Sequence, residues 1–180
     1  MEMKYFVYEG KFNPELIKQE LSGTRFWNWL NLRRTPSNTG HNDVDDIILR
    51  FQPVQSTYTI QDFMDRELCV DYFVQQYYPA TMELCKMFAT THQIGRIVIA
   101  KLKPQGVISL HVDEGEYNKV YDRYHFVIDT NDKVVFTCGD ESVHMPEGTI
   151  FQFDNKTEHK VENLGDTDRV HIIMDIKYDS

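Results

Sequence analysis

Short β-type runs separated by tight turns fill the chain after Gly95, and this rhythm limits the fold more than any other feature. Eight runs follow one another: Arg96–Leu102, Val107–Val112, Tyr121–Ile128, Lys133–Thr137, Ser142–His144, Thr149–Phe153, His159–Glu162 and Arg169–Ile176. Between them lie Lys103-Pro104-Gln105-Gly106, Asp129-Thr130-Asn131-Asp132, Cys138-Gly139-Asp140, Met145-Pro146-Glu147-Gly148 and Asn163-Leu164-Gly165-Asp166. These are residues that supply turn conformations or cannot continue a strand. Many short strands behind a helical segment predict a mainly β chain with some α: a double-stranded β-helix, or cupin-like jelly roll. Helices of the N-terminal half are expected to pack on one sheet.

The first half reads differently. Lys4–Tyr8 alternates like a short strand, Asn13-Pro14 opens a helix running to Leu21, and Gly23 stops it. Arg33–Gly40 carries turn chemistry and is expected to form a loop, and N-terminal segments within Arg25–Arg50 are expected to close the substrate pocket. Asp46–Gln52 is a strand candidate. Ile60–Thr91 reads as mostly helical, split at Pro79. No linker divides the 180 residues, so one domain is expected, with residues 1–95 as helical and substrate-side segments and 96–176 as the jelly-roll core.

Composition narrows the function classes. A net charge of −9 disfavours nucleic acid as a partner, since backbone binding needs Lys and Arg. Charged residues interrupt every apolar segment, so no membrane span is expected. Cys69, Cys85 and Cys138 are scattered without CxxC spacing, which reads as reduced thiols in a cytoplasmic setting.

Within the β half, His111-Val112-Asp113 ends a strand that follows a Pro-Gly turn. Alternation puts positions 111 and 113 on one face, and His159 opens a later strand. Two histidines and a carboxylate in this order form the facial set that holds non-haem Fe(II) and leaves positions open; zinc and manganese also accept it. The spacing alone is weak, because His41-Asn42-Asp43 repeats it in a turn-rich loop where a rigid site is not expected. Arg169 lies on a strand apolar on both faces, so it needs an anionic partner, and a carboxylate ligand is one. Arg123 and His125 share a strand face: a pair of donors for a carboxylate beside the metal, or simply a polar face. His171 reads as a core histidine. Asp154 either orients His159 or forms a turn. Trp27, Arg34 and Arg50 are candidates for lining a substrate pocket.

The ordered pieces PQGVISLHVD, RYHFVI, PEGTIFQFDNKTEH and N-x-G-x(3)-RVHIIMD resemble the aspartyl/asparaginyl β-hydroxylase family, and within it the proline-hydroxylase-like branch. The resemblance covers about 80 residues. It implies Fe(II) held by His111, Asp113 and His159, with 2-oxoglutarate and O2 as co-substrates. Arg169 would take the distal carboxylate of 2-oxoglutarate, and Arg123 and His125 its metal-bound end. The implied reaction hydroxylates an amino acid, free or in a peptide or protein, with succinate and CO2 as co-products. Asp113 stands where the aspartyl hydroxylases proper have glycine, and Ala100 stands where some relatives have a hydroxyl residue. A non-catalytic cupin-type binding module and a zinc or manganese cupin such as an isomerase are the alternatives.

Overall fold

The computed structural model describes residues 3–30, 32, 42–53 and 57–178. In chain order the elements are β1 (Phe6–Lys11), α1 (Glu15–Leu21), β2 (Val44–Phe51), α2 (Ile60–Asp65), β3 (Val70–Asp71), a 3-10 helix (Phe73–Tyr77), α3 (Pro79–Phe88), β4 (Gln93–Leu102) and β5 (Val107–His111). They continue with α4 (Glu116–Val120), β6 (Asp122–Asp129), β7 (Val134–Cys138), β8 (Glu141–Val143), β9 (Thr149–Phe153), β10 (His159–Asn163) and β11 (Arg169–Lys177). Two antiparallel sheets result, ordered β1-β9-β6-β11-β4-β2-β3 and β5-β10-β7-β8. This is the jelly roll expected from the strand rhythm.

Alternation along the strands sorts their side chains into two cores. On β6 and β11, Tyr124, Phe126, Ile172 and Met174 join the cluster that includes Met82, Cys85 and Ala89 of the α3 region and Ile17 of α1. The helices therefore cover one face of the large sheet. The opposite face carries Val127 and Ile173, which pack with Ile108, Phe136 and Val161 of the small sheet. Removing an Ile or Phe from water in either layer contributes about 1.5–3 kcal/mol. The inner face is also where Arg123, His125, Arg169 and His171 lie, buried among apolar side chains.

The helical expectation for residues 60–78 fails in part. α2 starts well, with a reciprocal capping box between Thr59 and Asp62. It ends at Asp65, short of two turns, and Val70 and Asp71 beyond it pair with Phe51 and Arg50 at the edge of β2. Tertiary pairing outweighs local propensity there. Pro79 does open α3 as its first residue. α4, which the sequence did not announce, is anchored by Tyr117: its hydroxyl accepts from Arg96 N at 2.8 Å, and its ring stacks on Tyr121. A Cβ on Gly95 would lie 2.2 Å from that hydroxyl, so the close approach requires glycine.

Candidate active site

β5 and β10 pair antiparallel, with His159 directly opposite His111. Their ring centroids are 4.3 Å apart. Asp113, just past the end of β5, completes the group: its Oδ1 lies 3.8 Å from His111 Nε2 and its Oδ2 3.9 Å from His159 Nε2. One ligand atom from each residue falls within 4.8 Å of the others, a spacing that can hold a metal ion.

The backbone fixes which ring nitrogens face this point. His111 Nδ1 lies 2.7 Å from Ser109 O, and His159 Nδ1 lies 2.9 Å from Thr157 O. A carbonyl only accepts, so both Nδ1 atoms carry the hydrogen and both Nε2 lone pairs are directed away from it. This outer contact is what a metal-binding histidine needs. Burial pushes the His159 pKa down, with Asp113 opposing, which favours the neutral ligand form. Asp154 belongs to the turn before His159: it accepts from Lys156 N at 3.0 Å and Thr157 Oγ1 at 2.7 Å. It therefore places Thr157 and does not touch the imidazole through any bond described.

The other His-x-Asp serves the fold. Asp43 Oδ2 accepts from Val107 N at 3.0 Å, capping the start of β5, and Asp43 O accepts from Lys103 N. His41 lies outside the described residues. So does Arg34.

A narrow pocket runs from the triad into the jelly roll, lined by Arg123, His125, Phe136, Phe153, Ile173 and Arg169 among others. Arg123 is buried and shared between two carboxylates. Its Nε and Nη2 donate to Asp175 at 2.8 and 2.9 Å, and its Nη1 donates to Asp113. Both acids hold its pKa above the ordinary arginine value despite burial. Asp175 was missed as a site residue. The signal that could have found it is its position on β11, opposite Arg123 on the same inner face.

Arg169 is 1% exposed and has no carboxylate partner among the described residues. Its Nη2 lies 3.3 Å from His125 Nδ1, and its Nε has no partner among the described residues. Burial alone pulls its pKa down to about 9. A guanidinium only donates, and His171 Nδ1 lies 3.1 Å from the same His125 nitrogen. His125 Nδ1 is then the common acceptor, His171 the donor, and the His125 hydrogen sits on Nε2. His171 is fully buried and held neutral.

The turns of the motif set have a mechanical role. Gln105, at φ 58°, donates from Nε2 to Gly165 O at 2.9 Å and Leu164 O at 3.1 Å. Asn163 donates to Thr167 O and Lys103 O and accepts from Gly165 N. The two turns thereby lock together the starts of β5 and β11, the strands that carry His111 and Arg169.

Trp27 and Arg50 are not among the residues lining this pocket. Trp27 packs on the helix-side core under Lys101, and Arg50 is engaged by Asp71, Glu67 and Ile94 O.

The fold and site together define a jelly-roll protein with two histidines and a carboxylate spaced to hold a metal ion, and a buried pocket behind them that contains Arg123 and Arg169. The sequence profile of the aspartyl/asparaginyl β-hydroxylases matches residues 69–178, and the chain belongs to that family. It is an enzyme of the hydroxylase kind that this family defines. A comparison with curated proteins finds no match. Among solved structures, it is similar to an oxidoreductase of the 2OG-Fe(II) oxygenase family from Burkholderia pseudomallei (13% identity, TM-score 0.58, 91% of this chain and 77% of that one). It also resembles a viral collagen prolyl hydroxylase from Paramecium bursaria Chlorella virus-1, solved as a 2OG complex (8%, 0.53, 98% and 97%). A third is a Pseudomonas putida prolyl-4-hydroxylase (11%, 0.51, 97% and 93%). At these identities the likeness concerns the fold.

Proposed function

We propose that His111, Asp113 and His159 bind Fe(II), that Arg169 binds the distal carboxylate of 2-oxoglutarate, and that the enzyme hydroxylates an amino acid or a residue within a peptide. The observation that carries this reading is Arg169: a fully buried guanidinium with no carboxylate partner among the described residues, lining the same pocket as the triad. A cation held in such a place is costly until an anion joins it.

Charge bookkeeping points to the same ligand. Arg123 and Arg169 offset Asp113 and Asp175, so with neutral histidines the pocket is balanced until a divalent cation enters. The two positive charges then gained match a dicarboxylate. Arg169 offers a planar fork for its far end. His125 lines the same pocket beside Arg169, and Phe136 and Phe153 pack against its ring and exclude water. Bound iron with this co-substrate supplies the oxidising power for O2-dependent C–H hydroxylation, and the protein orients the reactants. Because Arg123 is already committed to Asp113 and Asp175, its part is to orient the metal-binding carboxylate.

The prolyl hydroxylases among the similar structures make peptidyl or free proline the first substrates to try, with other amino acids beside them. No helix among the described residues is long and apolar enough to cross a membrane. Three buried free thiols suit a reducing compartment such as the cytoplasm.

A screen of succinate release over free amino acids and short peptides tests the proposal. Release that needs Fe(II), 2-oxoglutarate and O2 supports it. Activity without oxygen in a zinc-loaded protein, with no succinate formed, overturns it.

A further inference from the structure

We propose that Asp175 is a positioning residue for the metal site, acting through Arg123. The inference rests on the metal-binding reading of His111, Asp113 and His159 given above.

Asp175 is 1% exposed and sits directly across from Arg123 in the β6–β11 pairing. Both its oxygens are engaged by the guanidinium fork, at 2.8 and 2.9 Å. A closed structural ion pair would end there. Here the third donor, Nη1, continues to Asp113 Oδ2, so one guanidinium bridges a carboxylate in the sheet and a carboxylate of the triad.

The bridge has two consequences. The first is orientation. Engagement of Oδ2 by Arg123 holds the carboxylate in place between the two imidazoles, with Oδ1 3.8 Å from His111 Nε2 and Oδ2 3.9 Å from His159 Nε2. The planar fork on Asp175 fixes the guanidinium plane, and through it the plane of Asp113. The second is charge. A buried guanidinium beside a divalent cation repels it strongly in a medium of low dielectric. Asp175 cancels that charge, so Arg123 can steer Asp113 without opposing the metal. Without Asp175, the same arginine becomes an unbalanced cation next to the site.

The test measures Mn(II) affinity by electron paramagnetic resonance of the free ion, without turnover. The proteins are wild type, Asp175→Asn, Arg123→Gln, the double variant, and His111→Ala as the reference for a lost site. Circular dichroism reports folding in each. Asp175→Asn is expected to weaken Mn(II) binding about 10- to 100-fold, the range for outer partners of metal ligands. On the Arg123→Gln background the same change is expected to alter affinity less than about twofold, because the residue it acts through is gone. Unchanged affinity in Asp175→Asn, or an equal loss on both backgrounds, overturns the inference. Should Asp175→Asn fail to fold, Asp175→Ser takes its place in both comparisons: a loss confined to the wild-type background supports the inference, and no loss or an equal loss on both overturns it. Failure of the metal reading is distinguishable, because wild type would then bind no more Mn(II) than His111→Ala, and the inference would fall with it.

Discussion

Replacing Arg169 with methionine should stabilise the ligand-free protein and remove its response to 2-oxoglutarate. The guanidinium is buried beside Ile173, Phe136 and Phe153, and burial lowers its pKa from 12.5 to about 9. At about 1.4 kcal/mol per unit, this is a penalty of roughly 5 kcal/mol as an upper bound, present at neutral pH where the group must stay charged. Methionine is uncharged and fills similar volume. It forfeits the 3.3 Å contact to His125 and some packing, which leaves a net gain of about 1–3 kcal/mol. For a chain of this length that corresponds to a rise in Tm of about 2–12 °C. Differential scanning calorimetry of the ligand-free proteins measures it. In a second series, both proteins receive Mn(II), then 2-oxoglutarate. Wild type should gain about 2.7 kcal/mol from the co-substrate at a hundredfold excess over its Kd, and the variant nothing beyond the effect of the metal. A variant that melts several degrees lower than wild type, or still responds to 2-oxoglutarate, refutes the argument that Arg169 is held for an anion.

Three further outcomes follow from the geometry. His171 is buried neutral, so below about pH 6.5 the unfolded chain takes up a proton that the folded chain refuses, and stability falls as pH drops. Denaturant titrations of His171→Leu between pH 7 and 5 should show an acid limb shallower than wild type by up to about 1.4 kcal/mol per pH unit; parallel limbs contradict this. A Cβ on Gly165 would lie 2.1 Å from Asn131 Oδ1, so Gly165→Ala should cost about 1–3 kcal/mol by disturbing the turn that leads into Arg169. Urea denaturation checks it, and an unchanged midpoint refutes it. Burial pushes Cys85 up to about 12 and Cys69 and Cys138 up to about 11, so native protein should resist a thiol reagent at pH 8 until it is unfolded.

Much of the site was legible because strand alternation is a strict period. Positions 169, 171 and 173 share the inner face of β11, as alternation predicts, whereas β5 ends at His111 and Asp113 joins the group from just beyond it. The opposition of His159 and His111 is a matter of sheet register, which a linear reading reaches only through the fold type. The Arg123–Asp175 fork spans 52 residues and depends on which partner β6 finds in the sheet, so alternation alone could not deliver it. Asp43 bears out the converse: it has the same His-x-Asp spacing in a turn-rich segment, and its carboxylate caps β5. Residues 60–78 misled because Val70 and Asp71 are extended only through pairing with β2.

The most direct test of the account is an anaerobic titration of the protein with Fe(II) and 2-oxoglutarate, followed by visible absorption. Chelation of iron by the keto acid inside the His111–Asp113–His159 site should produce a metal-to-ligand charge-transfer band. His159→Ala should lack the band, and Arg169→Met should show it only at far higher 2-oxoglutarate. A wild-type protein that gives no band, or a band that persists unchanged in His159→Ala, contradicts the account.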